Sequence, residues 1–177
     1  MLSIAVESAS LSMLRPLTRS DARTAQAVLD ACHDYALLFQ GHAFSPNAAE
    51  AEFDAVPSGF PVDRKRVFGI EGSAGHLVGL LEGLSGYPSN EVWYLGLLLV
   101  VPAARGRGVG TYAYAALESA VRGESFAAIE LAVLKDNVGA LAFWQRMGFT
   151  VIREVPAATL GAKRHERFAM RKKLSDA

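Results

Sequence analysis

Leu97-Leu98-Leu99-Val100-Val101-Pro102 runs into Ala103-Ala104-Arg105-Gly106-Arg107-Gly108-Val109-Gly110-Thr111, and Tyr112-Ala113-Tyr114-Ala115-Ala116-Leu117-Glu118 follows. An apolar strand thus ends at a proline, passes through a loop of glycines and arginines, and enters a helix. Unpaired N–H groups and the dipole at such a helix start favour an anion, above all phosphate. The loop lacks the Gly-Lys-Ser/Thr end that a P-loop uses to reach phosphate and magnesium. Its glycines at 106, 108 and 110 also miss the G-x-G-x-x-G spacing and come late in the chain. On this segment alone a phosphate cradle and a plain structural turn both stay open. A second feature concerns protons. Glu82 sits inside Leu80-Leu81-Glu82-Gly83-Leu84, and burial in an apolar strand raises a carboxyl pKa toward neutral. The alternative is a solvated glutamate on an outer face. His33 and His42, nine residues apart, make no metal site by themselves. No metal is expected.

The elements that must hold these residues follow from pattern and punctuation. Met13 to Leu17 reads as a short first strand, with Pro16 marking an edge or a strand end. Ser20 or Asp21 caps a helix to about Phe39, with Ala25, Val28, Leu29 and Cys32 near one face. Ser45-Pro46 opens a second helix that ends near Pro57-Ser58-Gly59. Arg66 to Glu71 and Leu77 to Leu84 form two strands around Gly72-Ser73-Ala74-Gly75, and Glu91 to Val101 is the central strand. A helix from about Gly108 to Arg122, a strand from Phe126 to Leu134 and a helix from Val138 to Met147 follow, the last stopped by Gly148. Thr150 to Val155 and Arg167 to Lys173 close the chain as a hairpin joined by a polar loop.

Length and composition bound the rest. The 177 residues suit one domain with a substantial core. Eighteen basic residues balance eighteen acidic ones, which argues against a broad nucleic-acid face. Cys32 is the single cysteine, so no internal disulfide forms, and a reducing, cytoplasmic setting is expected. The longest apolar run, Leu95 to Val101, is too short to span a membrane. Met1 to Leu11 has no basic segment and carries Glu7, so residues 1–11 read as an extension rather than a signal peptide.

Twenty-seven residues past Gly110 stands Asn137-Val138-Gly139-Ala140-Leu141-Ala142-Phe143-Trp144-Gln145-Arg146-Met147-Gly148-Phe149. Here the chain resembles the GCN5-related N-acetyltransferase (GNAT) superfamily. Arg105, Gly108 and Gly110 match its R/Q-x-x-G-x-G/A signature, and the Asn137 segment matches its N-x-x-A-x-x-F/L-Y-x-x-x-G-F signature. With the element order, the resemblance covers residues 12–174 as one acyltransferase domain. It implies an α/β fold: a mixed, mostly antiparallel sheet of six to seven strands with about four helices on its faces.

The resemblance implies acetyl-CoA, or another acyl-CoA, as co-substrate. Its pyrophosphate would rest on the amides of Arg107, Gly108, Val109, Gly110 and Thr111, with Gly106 keeping the loop open and Arg105 shaping it. The pantetheine arm would pair with the backbone of Leu98, Leu99 and Val100 as an added strand does. An N–H near Leu99 or Val100 would stabilise the oxyanion. Asn137 would hold the pantetheine arm or cap its helix, and Ala140 and Phe143 would line the CoA side. The sequence departs from the pattern twice. Trp144 occupies the place of a tyrosine that protonates the leaving thiolate, and indole is no acid near neutral pH. Tyr94 occupies the place of a general-base glutamate. Glu82 is therefore the candidate base, with Tyr94 orienting it. Tyr35, Tyr87 and Trp93 are the candidates for the acceptor pocket. The reading is N-acetyl transfer to an amine of a small molecule or peptide, by direct attack in a ternary complex, without nucleic acid or membrane. Relatives are often dimers, which makes a homodimer the expected assembly. An acyl-CoA-binding domain without turnover, and an O-acyltransferase, are the alternatives.

Overall fold

Strands β1 (Met13–Pro16), β2 (Lys65–Glu71), β3 (Leu77–Ser85), β4 (Val92–Val100), β5 (Ala128–Leu134), β6 (Thr150–Leu160) and β7 (Lys163–Lys173) form one sheet in the order β1-β2-β3-β4-β5-β7-β6. Every neighbouring pair is antiparallel except β4 and β5. The computed structural model describes residues 13–72 and 75–174. The expected 1–11 extension, and Ser73-Ala74 of the first hairpin turn, lie outside the described residues.

Five α-helices cover the sheet among the described residues: α1 (Ala22–Ala31), α2 (His33–Gln40), α3 (Ala48–Glu52), α4 (Val109–Gly123) and α5 (Val138–Arg146). In α4 the buried residues Ala113, Tyr114, Leu117 and Val121 recur at helical spacing and make one apolar stripe. That stripe and Trp144 of α5 pack on Leu81, Trp93, Leu95, Ile129, Leu131, Val133 and Met170. The opposite sheet face meets Ala25, Val28 and Leu29 of α1 and Ala49 of α3 through Val67, Leu80 and Leu99. Period-2 alternation in β3 and β4 supplies one core from Leu81 and the other from Leu80 and Leu99.

Three sequence expectations are corrected. The first helix breaks at Cys32 (φ −95°, ψ 42°), giving α1 and α2 in place of one helix to Phe39. The Ser45-Pro46 helix is only five residues long and starts after the proline. The Gln26 side chain accepts from Ala49 N at 3.0 Å and so serves as its cap from α1. The polar loop expected between 155 and 167 is strand on both sides of a tight turn. Its residues pair across a hairpin whose outer strand, β6, is the sheet edge, so solvent on that edge hides the alternation. Pro156 sits at a register irregularity of that edge, where a missing N–H is tolerated.

Candidate active site

The geometry of the site starts from one glycine. β3 and β4 keep register from Gly79↔Val100 to Glu82↔Leu97, then continue at Gly83↔Leu95, which leaves Gly96 as an extra residue in β4. A bulge of this kind bends its strand. The parallel pairing of β4 with β5 runs from Val92↔Ala128 only to Leu95↔Leu131, so it stops where the bulge begins. Residues 96–100 of β4 therefore present an edge with no strand partner on the β5 side among the described residues. Alternation decides which groups face that gap. Val101 N–H donates to Val78 O of β3 at 2.9 Å. By the antiparallel pattern Leu99 also faces β3, and Leu98 and Val100 turn their N–H and C=O groups outward. Of the three residues expected to offer backbone to a pantetheine arm, Leu99 is thus turned away.

The outward carbonyl of Val100 is already occupied. It accepts from Arg105 Nε at 2.8 Å and from Cys32 Sγ at 3.6 Å. The Arg105 guanidinium continues to both carboxylate oxygens of Asp34 in the first turn of α2. Arg105 thus ties the end of β4 and its own loop to α2, and its positive charge holds the Asp34 carboxyl below the usual carboxylate range. Arg107, by contrast, is exposed and lines no part of the cleft described below.

Past this tie the chain enters α4. Gly106 and Gly108 have φ of 73° and 80°, a region that side-chain-bearing residues rarely adopt. Gly108 starts the helix without a side-chain cap. The N–H groups of Gly108, Val109, Gly110 and Thr111 precede the first intrahelical bond, Tyr112 N to Gly108 O at 3.0 Å, and are free to take an outside acceptor. Gly110 faces the Phe143 ring of α5, 3.6 Å from where a Cβ would stand, which places the start of α4 beside α5.

A cleft of about 640 Å³ joins these parts. Its walls include Leu98, Leu99, Val100, Arg105, Gly106, Gly108 to Thr111, Asn137, Ala140 and Phe143. Twelve of the thirteen residues expected to bind CoA thus come together, with Arg107 apart. Asn137 caps α5 by accepting from Ala140 N at 3.1 Å. That bond uses its oxygen and leaves its amide NH₂ free. Trp144 is buried edge-on against Tyr114, Phe143 and Phe149, and its body lines the cleft.

Two smaller pockets continue from the strand gap. One, of about 260 Å³, lies between α2, β4, β5 and the β6–β7 hairpin, and shares Tyr35, Leu98, Asn137, Ala140 and Trp144 with the large cleft. The other, of about 410 Å³, is lined by Glu52, Lys65, Glu82, Tyr87, Tyr94 and Gly96. Tyr94 and Gly96 border both. Glu82 is 7% exposed. Its Oε2 is 2.5 Å from Lys65 Nζ, and Lys65 also reaches Glu52 Oε1 at 2.8 Å and Ala55 O at 3.0 Å. Its Oε1 lies where a Cβ of Gly96 would stand. Burial pushes the Glu82 carboxyl up to about 7, against the pull of Lys65. Burial also raises the phenols of Tyr35, to about 12, and Tyr94. Both remain protonated hydrogen-bonding groups near neutral pH. Tyr94 and Tyr87 meet edge to face at 5.4 Å.

Trp93 does not join this wall. It is 3% exposed and packs in the core under α4, because its neighbour Tyr94 takes the opposite sheet face. Lys65 and Glu52 carry no motif and were missed in the sequence. A signal for the bulge was there, in the lone glycine of an otherwise apolar strand.

The model of the acetyltransferase (GNAT) family matches residues 29–149. The chain belongs to this family. Solved structures agree with the fold. An acetyltransferase from Thermus thermophilus superposes with a TM-score of 0.75 at 23% identity, over 94% of this chain and 99% of that one. A GCN5-related N-acetyltransferase from Kribbella flavida gives 0.70 at 24%, over 94% and 100%. A spermidine N-acetyltransferase from Vibrio cholerae, in complex with CoA and spermine, gives 0.73 at 17%, over 93% and 96%. No curated protein gives a significant sequence match. As a GNAT acetyltransferase the chain carries acetyl transfer as its general chemistry. No helix among the described residues is long and apolar enough to cross a membrane.

Proposed function

We propose that this GNAT protein is an acetyl-CoA-dependent N-acetyltransferase that acts on an amine of a small molecule or peptide in a ternary complex. The observation that carries the reading is the continuity of one cleft from the free edge of β4 to the unpaired amides at the start of α4. A diphosphate suits those amides, since four N–H groups point out and Gly106 has open space where a Cβ would stand. When bound, acetyl-CoA supplies the activated acyl group. The N–H groups of Leu98 and Val100 offer donors to an acyl oxygen at the gap.

An amine is a cation near neutral pH and must lose a proton before it can attack. Glu82 Oε1 is the acceptor for that proton. Lys65 fixes Oε2, and Gly96 leaves Oε1 room beside the β4 edge. A carboxylate that titrates near 7 suits this work. Tyr94 borders the same space and orients the base, directly or through water. Tyr35 and Tyr87 form the acceptor wall. A reducing, cytoplasmic setting suits the buried thiol of Cys32.

Thiol release from acetyl-CoA, measured against a panel of amines, tests the reading. Release that depends on an amine is the expected result. Binding of acetyl-CoA without release for any amine would make the protein a binding domain, and release with alcohols alone would make it an O-acyltransferase.

The glycine at 96 gives a sharper test. Gly96→Ala puts a methyl where Oε1 now sits, so the carboxylate must move. We expect kcat at saturating acetyl-CoA to fall about tenfold or more, the order of a displaced general base. The double variant Gly96→Ala/Glu82→Gln should lose little beyond Glu82→Gln alone, because both act on one group. Additive losses in steady-state kinetics would contradict the coupling.

A further inference from the structure

The acceptor side of the cleft holds a cation that acetyl transfer as described does not use. Arg167 of β7 lies across from Leu134 of β5 and lines the pocket of about 260 Å³ with Tyr35, Phe39, Tyr94 and Leu160. The intervening residues Val133 and Phe168 pack toward α4 and α5. Alternation therefore turns Arg167 to the other sheet face, where Glu82 and Tyr94 stand. Its positive charge offsets part of the burial that raises the Tyr94 phenol. The Arg167 Nε is buried without a hydrogen-bond partner. Among the described residues its side chain makes no hydrogen bond and no ion pair. Arg171, four residues on and facing the same way, also has a buried Nε without a partner, but its Nη1 lies 3.3 Å from Glu130, so unlike Arg167 it has a carboxylate of this chain beside it. The other cation of these two pockets is spent: Lys65 gives its three donors to Glu52, Glu82 and Ala55 O. A buried guanidinium nitrogen without an acceptor is unfavourable, and the guanidinium fork fits a carboxylate in two parallel bonds.

We infer that Arg167 binds a carboxylate on the acceptor, so that the acceptor is an amino carboxylate with an apolar or aromatic body. Its amine lies toward Glu82 Oε1 and its carboxylate toward Arg167, and the two pockets meet at Tyr94 and Gly96 to admit both ends. Tyr35, Phe39 and Leu160 provide the apolar walls for the side-chain body that branches from the carbon between them. This inference rests on the acetyl-transfer reading above and narrows its acceptor.

The test uses L-phenylalanine, L-methionine and L-leucine, each beside the amine that lacks its carboxylate: phenethylamine, 3-(methylthio)propylamine and isoamylamine. Thiol release is measured for the full-length protein and for Arg167→Gln and Arg167→Lys. The native protein should favour at least one amino acid over its matched amine in kcat/KM. Arg167→Gln should raise KM for that amino acid about 10- to 100-fold, the worth of a hydrogen-bonded charge contact, with kcat changed far less. The matched amine, which has no carboxylate to lose, should change far less, and an unchanged calorimetric affinity for CoA shows that the variant is folded. Arg167→Lys, with charge but no fork, should fall between. Calorimetric titration of the same amino acids into the CoA-saturated protein reads the contact without turnover, so silent chemistry would overturn the transfer reading while this inference is still measured. Preference for the amines, equal losses for both members of a pair, or amino-acid binding unchanged in Arg167→Gln would overturn it.

Discussion

Glu82→Gln is expected to lower kcat/KM by about a hundredfold, the scale of a general base removed from an otherwise intact site. The pH profile is the more telling readout. The active form of a base is the deprotonated one, and burial lifts the Glu82 carboxyl to about 7. For the native protein kcat/KM should therefore climb through pH 7 as Glu82 ionises. In Glu82→Gln that limb disappears, and the remaining rise follows the acceptor amine at more alkaline pH. Lys65 is the largest influence that pulls the Glu82 pKa down. Lys65→Met should accordingly shift the limb to higher pH. A limb left in place by Glu82→Gln would assign the proton to another group.

Gly108→Val should strike the other half of the site. A β-branched residue resists φ near 80°, at a cost of roughly 1–2 kcal/mol. Its side chain also meets the Tyr112 ring, 3.3 Å from where a Cβ would stand. The loop relieves that strain by turning its amides away from their common focus. Loss of one charge-assisted bond to phosphate, at about 2–3 kcal/mol, corresponds to roughly 30- to 150-fold weaker acetyl-CoA binding. Calorimetry with acetyl-CoA reads this directly. Unchanged affinity would mean that the phosphates lie elsewhere.

What could be read in the sequence, and what could not, divides along physical lines. The loop from Arg105 to Thr111 was legible because its chemistry is local: a proline ends the strand, glycines allow left-handed backbone, and an uncapped helix start leaves amides free. Glu82 was legible as an acid inside an apolar strand. Its partners were not, because Lys65 and Glu52 come from β2 and α3 and only pairing across strands brings them in. Leu99 could not be told from Leu98 and Val100, since which backbone groups face the gap depends on the bulge and the register with β3. Trp93 was assigned to the acceptor wall from its neighbours in sequence, yet one step along a strand reverses the face. Arg167 was legible as the start of the last strand, but its place beside Tyr94 depends on which strand β7 pairs with and in what register, so it emerged only with the fold.

The central claim is that the amides opening α4 and the free edge of β4 form one surface for CoA. Titration of the ¹⁵N-labelled protein with CoA, followed amide by amide, tests it most directly. The account predicts large shifts at Gly108, Val109, Gly110 and Thr111, together with Leu98 and Val100, and little change at Leu99, which faces β3. Saturable binding that leaves those six amides in place while shifting others would contradict it.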